Sequence, residues 1–323
     1  MAKAPRYEGL TPQTQPADAL RAILGVLYAA VLREAPAVLH EQDVRATHDM
    51  RVALRRLRSA LETFAAEFAP ADLRARERAL RRLARRLGDV RDADVHLAEL
   101  RAAFGGATAS ESPGIAYAIE ALVARRRTAL ARFAIELSQF DREAIVGDPA
   151  DMAAGSRKPL RKFVRHAVRT RLRKVLHRAS SAIPEGGDAA LHALRKEVKR
   201  LRYTLEFFGD LLGPDGAEAL GSTERVQDRL GTIADAVAFA QTYAELLGGL
   251  DRADPRRAGL EACRDTARTR REKALAGLRK LWGGDGADAY PGKLAASISS
   301  ALGSLSPKSP ANGPAGATSK RGR

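Results

Sequence analysis

The chain has 323 residues, of which 55 are Lys or Arg and 39 are Asp or Glu, so its formal net charge is +16 at pH 7. A hydrophobic fraction of 45% excludes a wholly disordered chain, and the length exceeds what one hydrophobic core usually serves, so we expect two core-bearing units. The single cysteine excludes a disulfide scaffold and a multi-cysteine zinc site. The charge predicts a polyanionic partner.

No secretory or membrane segment is visible in the sequence. The N-terminal residues lack the apolar core of a signal peptide, and the longest nearly apolar run, residues 22–32, is shorter than the roughly 20 residues of a membrane-spanning helix. We therefore expect a cytoplasmic protein with no membrane partner.

The composition favours helix along nearly the whole chain, because Ala, Leu and Arg dominate and aromatic residues make up only 5%. Pro and Gly residues divide the sequence into segments of helical length. They predict four helices before residue 150 and four after it. The predicted helices cover about residues 17–39, 43–68, 71–103 and 113–138, and then about 157–181, 188–212, 215–247 and 256–282.

Short connections between these helices predict an all-α fold of two four-helix bundles, since successive helices then become antiparallel neighbours. The predicted bundles are residues 16–150 and 151–283. Residues 1–15 are predicted to be a flexible N-terminus. Residues 284–323, rich in Ser, Gly, Pro and Ala and basic at the end, are predicted to be a flexible basic tail with one helical turn near residues 293–302.

The two halves contain an internal repeat. The segment HDMRVALRRLR at residues 48–58 recurs as HALRKEVKRLR at residues 192–202. A second block, LGDVRDA at residues 87–93, matches LGTIADA at residues 230–236. We interpret the two predicted bundles as a duplication, related by a pseudo-two-fold axis.

Each copy of the repeated helix carries a cationic stripe opposite a stripe of Leu and Phe residues, given about 100° of rotation per residue. Stacked like charges destabilise an isolated helix, and a bound polyanion would offset that repulsion. A solvated face is the alternative, with Glu62 and Glu206 neutralising the Arg four residues before each. The stripes consist of His48, Arg51, Arg55 and Arg58, and of His192, Arg195, Lys199 and Arg202.

The predicted fifth helix has the densest row of cations, with almost no acidic residue before Glu185. We predict that it is a ligand surface, against the alternative of a simply solvated face. The predicted first helix has Ala22, Gly25 and Ala29 at the matching positions, so a symmetric site is in doubt. The predicted contacts on the fifth helix are Arg161, Lys162, Arg165, Arg169 and Arg173.

The doubled His-led motif resembles the CHAD domain, the conserved histidine α-helical domain, and residues 87–93 and 230–236 look like its LG-x-x-x-D-A block. The resemblance covers about residues 16–282. It implies two four-helix bundles with a basic groove between them that binds inorganic polyphosphate, and association with polyphosphate granules. Some members carry an N-terminal triphosphatase domain for which this sequence leaves no room. We therefore expect binding without catalysis, and no cofactor.

Two other functions remain open. A nucleic-acid-binding protein fits the charge, although aromatic residues are few and no known nucleic-acid motif occurs. A metal-dependent phosphohydrolase is suggested by the His48-Asp49 dipeptide, but these side chains point about 100° apart on a helix and Ala193 replaces Asp49 in the second copy. We therefore predict no metal site. A purely structural helical scaffold is the third alternative.

Overall fold

The computed structural model describes residues 5–65, 70–140, 158–283 and 289–305, which are helical throughout apart from their connections. This confirms the predicted all-α class. The predicted bundle boundary at residue 150 lies outside the described residues. The nine α-helices of the described part are α1 (Pro16–Pro36), α2 (Val44–Thr63), α3 (Pro70–Phe104), α4 (Ser112–Ser138), α5 (Leu160–Glu185), α6 (Asp188–Phe207), α7 (Gly209–Gly248), α8 (Arg257–Trp282) and α9 (Tyr290–Gly303), and a π-helical segment, Ala37–Glu41, follows α1.

Local sequence explains several helix ends. The Asp43 side chain caps α2 by accepting hydrogen bonds from the backbone N–H groups of Arg45 and Ala46. A proline stands in the first turn of α1, α4 and α9, where its missing N–H costs no hydrogen bond. The predicted break between residues 212 and 215 is a kink inside α7, because Gly213 has a positive φ of 63°.

Neighbouring helices pack side by side within each half, and the main contacts between the halves join α1 to α5, α2 to α6 and α4 to α8. The buried side chains form two apolar clusters, and each cluster draws residues from both halves. The predicted apolar faces of the repeated helices are confirmed, since the following side chains on them are at most 1% exposed. They are Met50, Leu54, Leu57 and Leu61 in α2, Phe64 directly after α2, and Leu194, Val198, Leu201 and Leu205 in α6.

Two contacts between the halves occur twice with their partners exchanged. Between α2 and α6, Arg56 donates from Nε to the Glu206 carboxylate, and Arg200 donates from Nε to the Glu62 carboxylate at 2.7 Å. Between α4 and α8, Gly114 lies against the backbone carbonyl of residue 256, and Gly259 lies against that of residue 111. A Cβ atom at either glycine would collide with that carbonyl, so both contacts require glycine.

Residues 5–15 are held by the rest of the protein, so the predicted flexible N-terminus is wrong for them. The backbone carbonyls of Pro12 and Thr14 accept hydrogen bonds from the N–H groups of Arg161 and Leu160, at 3.0 and 2.9 Å. Tyr7 is buried, with its ring 6.1 Å from that of Phe207. These contacts satisfy free N–H groups at the start of α5, which a polar stretch with two prolines does not reveal.

Residues 290–303 of the predicted flexible tail form α9, a helix that is longer than the single turn expected near residues 293–302. This helix packs on α7 and also contacts α5 and α8. Leu294, Ile298 and Leu302 repeat every four residues and are all buried, which is enough to dock a short helix among Ser, Ala and Gly. The rest of the predicted tail, residues 306–323, lies outside the described residues.

The segment Pro16–His40 is long and apolar enough to cross a membrane, judged by length and composition alone. The nearly apolar run within it, residues 22–32, is shorter than a membrane-spanning helix. A core helix of a folded protein can meet the same criterion. One face of α1, which includes Leu20, Ile23 and Leu24, is completely buried in the larger apolar cluster.

Candidate functional site

A cavity of about 340 Å³ lies among α2, α6 and α7, and we call it the central cavity. It brings together predicted residues from both copies of the repeated motif. The first half contributes His48 and Arg55, and the second half contributes Arg195, Lys199 and Arg202. The other residues that line the central cavity are Val52, Arg56, Tyr203, Gln227, Asp228, Gly231, Thr232 and Asp235.

A second cavity of about 650 Å³, the adjoining cavity, shares Arg195 and Asp235 with the central one, so the two are neighbours. Two more predicted residues, Arg51 and His192, line it. Its wall also contains the carboxylates of Asp92, Asp188, Asp235 and Glu245. The negative charge of the site is therefore concentrated on the side of the adjoining cavity.

Three cations of the central cavity have no ion-pair partner among the described residues: Arg55, Arg195 and Lys199. The Nε atoms of Arg55 and Arg195 are also buried without a hydrogen-bond acceptor. Leaving a buried donor unpaired costs about 1–3 kcal/mol. The arrangement is typical of a site whose acceptors come from a ligand.

The remaining stripe residues have carboxylate partners or lie elsewhere. Arg51 pairs with Asp92 at 3.2 Å, and Arg202 lies 3.3 Å from Glu224 and 3.6 Å from Glu206. The expected pairing four residues along the helix therefore occurs in the second copy. In the first copy Glu62 pairs instead with Arg200. Arg58 is half-buried and is not among the residues that line the two cavities.

The surroundings of the central cavity disfavour positive charge on Lys199, Arg55 and Arg195. Burial, reinforced by the nearby charges of Arg195 and Arg55, lowers the pKa of the Lys199 ammonium to about 6, although the Asp235 carboxylate opposes the shift. Burial likewise lowers the pKa of both arginines. Lys199 is therefore mostly neutral at pH 7, and a bound anion would favour its charged form.

Lys199→Met is expected to stabilise the empty protein. Between pH 6 and pH 10.5 the unfolded chain binds a proton at Lys199 that the folded protein does not, so this residue's contribution to stability falls as the pH falls across that range. At pH 7 we expect methionine to raise the free energy of unfolding by about 1–3 kcal/mol, allowing for partial solvent screening. Urea unfolding at pH 7 and pH 9 measures it, and the gain should shrink at pH 9. An equal gain at both pH values would contradict the shifted pKa.

The two motif histidines occupy different cavities. His48 is half-buried in the central cavity, where burial and then the charge of Arg91 lower its pKa. His192 is exposed at the adjoining cavity, and burial, Lys196 and Arg195 lower its pKa. The lowered pKa favours the neutral form of both imidazoles, and a neutral imidazole retains one N–H donor for an anion.

The glycines of the two LG blocks differ in their surroundings. A Cβ atom at Gly88 would lie 2.8 Å from Nη1 of Arg51, so the glycine makes room for this guanidinium beside Asp92. A Cβ atom at Gly231 would have no other atom within 4 Å, and Gly231 lines the central cavity. The second block therefore leaves open the space that Arg51 occupies in the first.

The predicted residues of the fifth helix do not join this site. Arg161 donates to the side-chain oxygen of Gln13. The other four line a separate groove of about 410 Å³ on α5, which shares no residue with the two cavities. The structure therefore places the predicted cations of the fifth helix apart from the predicted cations of α2 and α6. These four residues are Lys162, Arg165, Arg169 and Arg173.

Sequence reasoning missed several residues of the central cavity. The guanidinium of Arg202 lies 4.4 Å from the centre of the Tyr203 ring, and the side-chain oxygen of Gln227 is buried without a partner. Nothing in the sequence pattern distinguishes Tyr203 or Gln227 as a residue of the site. Asp235 could have been found, because it matches Asp92 in the LG block. In the part of the chain that the structure describes, no group of three or more His, Cys, Asp or Glu side chains could hold a metal ion.

Comparisons with known proteins place the chain in a family. The CHAD domain matches residues 22–244. The crystal structure of the CHAD domain from the plant Ricinus communis superimposes with a TM-score of 0.68 and 25% identity, over 87% of this chain and 96% of that one. PptA from Streptomyces chartreusis shares the fold, with a TM-score of 0.55 and 21% identity over 83% and 99%. No curated protein matches. Since the family match covers more than half of the chain, this protein belongs to the CHAD domain family.

Proposed function

We propose that this protein binds inorganic polyphosphate in the central and adjoining cavities without changing it chemically. The observation that carries the proposal is the convergence of Arg55, Arg195 and Lys199, from both halves of the chain, with no carboxylate partner among the described residues. Polyphosphate has no base or sugar to recognise, so charge density and the forked donors of arginine are what its recognition requires.

The same proposal includes the finer architecture, in which two four-helix bundles are related by a pseudo-two-fold axis. It is supported by the main contacts between the halves, which join α1 to α5, α2 to α6 and α4 to α8 and so join each of these helices to its counterpart in the repeat. The ion pairs of Arg56 with Glu206 and of Arg200 with Glu62 also join α2 to its counterpart α6, with the equivalent residues exchanged between the halves. A two-fold axis between α2 and α6 brings one set of cations from each half to a shared cavity.

In this proposal the protein is a binding module for cytoplasmic polyphosphate. Its binding to polyphosphate targets the protein to polyphosphate granules. Nucleic-acid binding is the second candidate, since a phosphate backbone would satisfy the same cations. The size of the central cavity favours polyphosphate. A volume of about 340 Å³ suits an unbranched chain of phosphates, whereas duplex DNA would have to lie on the outer surface.

The proposal is tested by titrating the purified protein with long-chain polyphosphate at several salt concentrations. We expect the logarithm of the affinity to fall linearly with the logarithm of the salt concentration, because binding releases counterions. Polyphosphate should also displace duplex DNA present at equal phosphate concentration. Tighter binding of the duplex would favour the nucleic-acid alternative, and release of orthophosphate in the presence of Mg²⁺ would contradict binding without catalysis.

A further inference from the structure

The α5 groove has the properties of a binding site of its own. Lys162, Arg169 and Arg173 are exposed along one face of α5, and in the described part of the chain none of them forms an ion pair. The groove contains no acidic residue and no aromatic residue other than His166. Its positive charge is therefore not balanced within the protein.

Two further side chains of the groove, Arg165 and Thr170, are held in the structure in different ways. Arg165 is fixed at one edge, where Nη2 donates to the backbone carbonyl of Leu302 in α9 at 3.1 Å. The Thr170 hydroxyl, which also lines the groove, is buried without a hydrogen-bond partner. The groove thus combines exposed cations with an arginine that a contact to α9 holds in place.

The groove faces away from the central cavity. Val164, Val168 and Leu172 turn the inner face of α5 into the core. Arg171, which donates to the backbone carbonyl of Glu62 in α2 at 3.2 Å, lies about 200° around the helix from Arg169. The side of α5 directed at α2 is therefore roughly opposite to the groove.

We infer that the α5 groove is a second polyphosphate site, independent of the central cavity, so that one protein molecule holds two chain segments and cross-links long chains. The inference rests on the proposed function, because it assumes that the α5 groove binds the same ligand, polyphosphate, that we propose for the central cavity. A sugar-phosphate backbone is less suited to the groove, which has no Phe, Tyr or Trp on which a base could stack. A lipid surface is less suited because the groove has no exposed apolar side chain to insert.

The inference predicts a dependence on chain length. A short polyphosphate reaches one site only, so two molecules of it bind to each protein with unrelated affinities. A long chain can occupy sites on two protein molecules, and the resulting multivalency produces large assemblies without any new contact.

The experiment compares three double variants with the wild type. Lys162→Glu/Arg169→Glu alters the α5 groove, and Arg195→Ala/Lys199→Ala alters the central cavity. The control, Arg101→Glu/Arg127→Glu, makes the same change of charge at exposed positions on α3 and α4. All altered groove and control residues are exposed, so the helices should form normally, which circular dichroism verifies.

Calorimetry with a short polyphosphate should give two equivalents for the wild type and the control, and one for each of the other two variants. With long chains, light scattering should rise for the wild type and the control and stay low for the other two variants.

One result would overturn the second site and leave the proposed function standing. In that result the wild type binds one equivalent, the groove variant also binds one, and the cavity variant binds none. Two equivalents in the cavity variant would contradict the proposed function. Loss of DNA binding alone in the groove variant would assign the groove to nucleic acid and overturn the inference.

Discussion

The double variant Arg195→Ala/Lys199→Ala should bind short polyphosphate at the central cavity about 100-fold more weakly than the wild type. Hydrogen bonds to charged groups contribute about 1.5–3 kcal/mol each, and a tenfold change in affinity corresponds to about 1.4 kcal/mol. We take the lower end of this range because the two residues are neighbours whose effects do not add fully. Both side chains lack an ion-pair partner in the described part of the protein, so their loss leaves no carboxylate unpaired.

The loss should depend on salt and on pH. Each cation that no longer contacts a phosphate should reduce the slope of log affinity against log salt by about one. Lys199, whose pKa is about 6 in the empty cavity, must gain a proton to act as a cation at pH 7. The proton is easier to gain at lower pH, so the difference between wild type and variant should grow from pH 8 to pH 6.

The matched control for this loss is Arg101→Ala/Arg127→Ala, which removes two exposed cations that line neither cavity. Its affinity should remain within about twofold of the wild type, as is usual for screened surface charges. Calorimetric titration at three salt concentrations measures both variants. If the cavity variant keeps the affinity and the salt slope of the wild type, polyphosphate does not bind in the central cavity.

Periodicity in the sequence was sufficient to predict the faces of the repeated helices. The spacing of Met50, Leu54 and Leu57 predicts a buried side, and the cations then have to lie on the other side. The spacing cannot predict which cations meet, because that depends on how α2, α6 and α7 pack. Arg55 and Arg195 converge for this reason, whereas Arg58 belongs to the same stripe and lines neither cavity.

The features missed by the sequence analysis depend on tertiary contacts. The α5 cations have the same helical spacing as those of α2, and only the packing of α5 turns them toward a different surface. The helix α9 was missed because three buried apolar residues suffice to dock it, although its composition resembles that of a linker. Gln227 and Tyr203 line the central cavity because of how α7 and α6 pack, and neither residue belongs to a recognisable sequence motif.

Glu206→Ala is expected to produce the largest loss of stability. Glu206 is buried between two buried arginines, Arg56 of the first half and Arg202 of its own helix. Arg202 keeps Glu224 when Glu206 is removed, but the charge of Arg56 loses this carboxylate. Breaking a buried ion pair by removing one partner costs about 3–5 kcal/mol, since the other charge stays out of water. The corresponding decrease in Tm is about 10 °C for a domain of this size.

The repeat provides the matched control, Glu62→Ala. Glu62 contacts Arg200 in the exchanged ion pair, but their side chains are 25% and 35% exposed, and Arg200 keeps Glu197 at 2.6 Å. Solvent screening and the remaining carboxylate should limit the loss to about 1 kcal/mol. Urea unfolding of both variants gives the comparison. Equal losses would mean that burial does not distinguish the two pairs; a larger loss for Glu206→Ala would show that the contact between α2 and α6, which sets Arg55 opposite Arg195, is stabilised mainly on the Glu206 side.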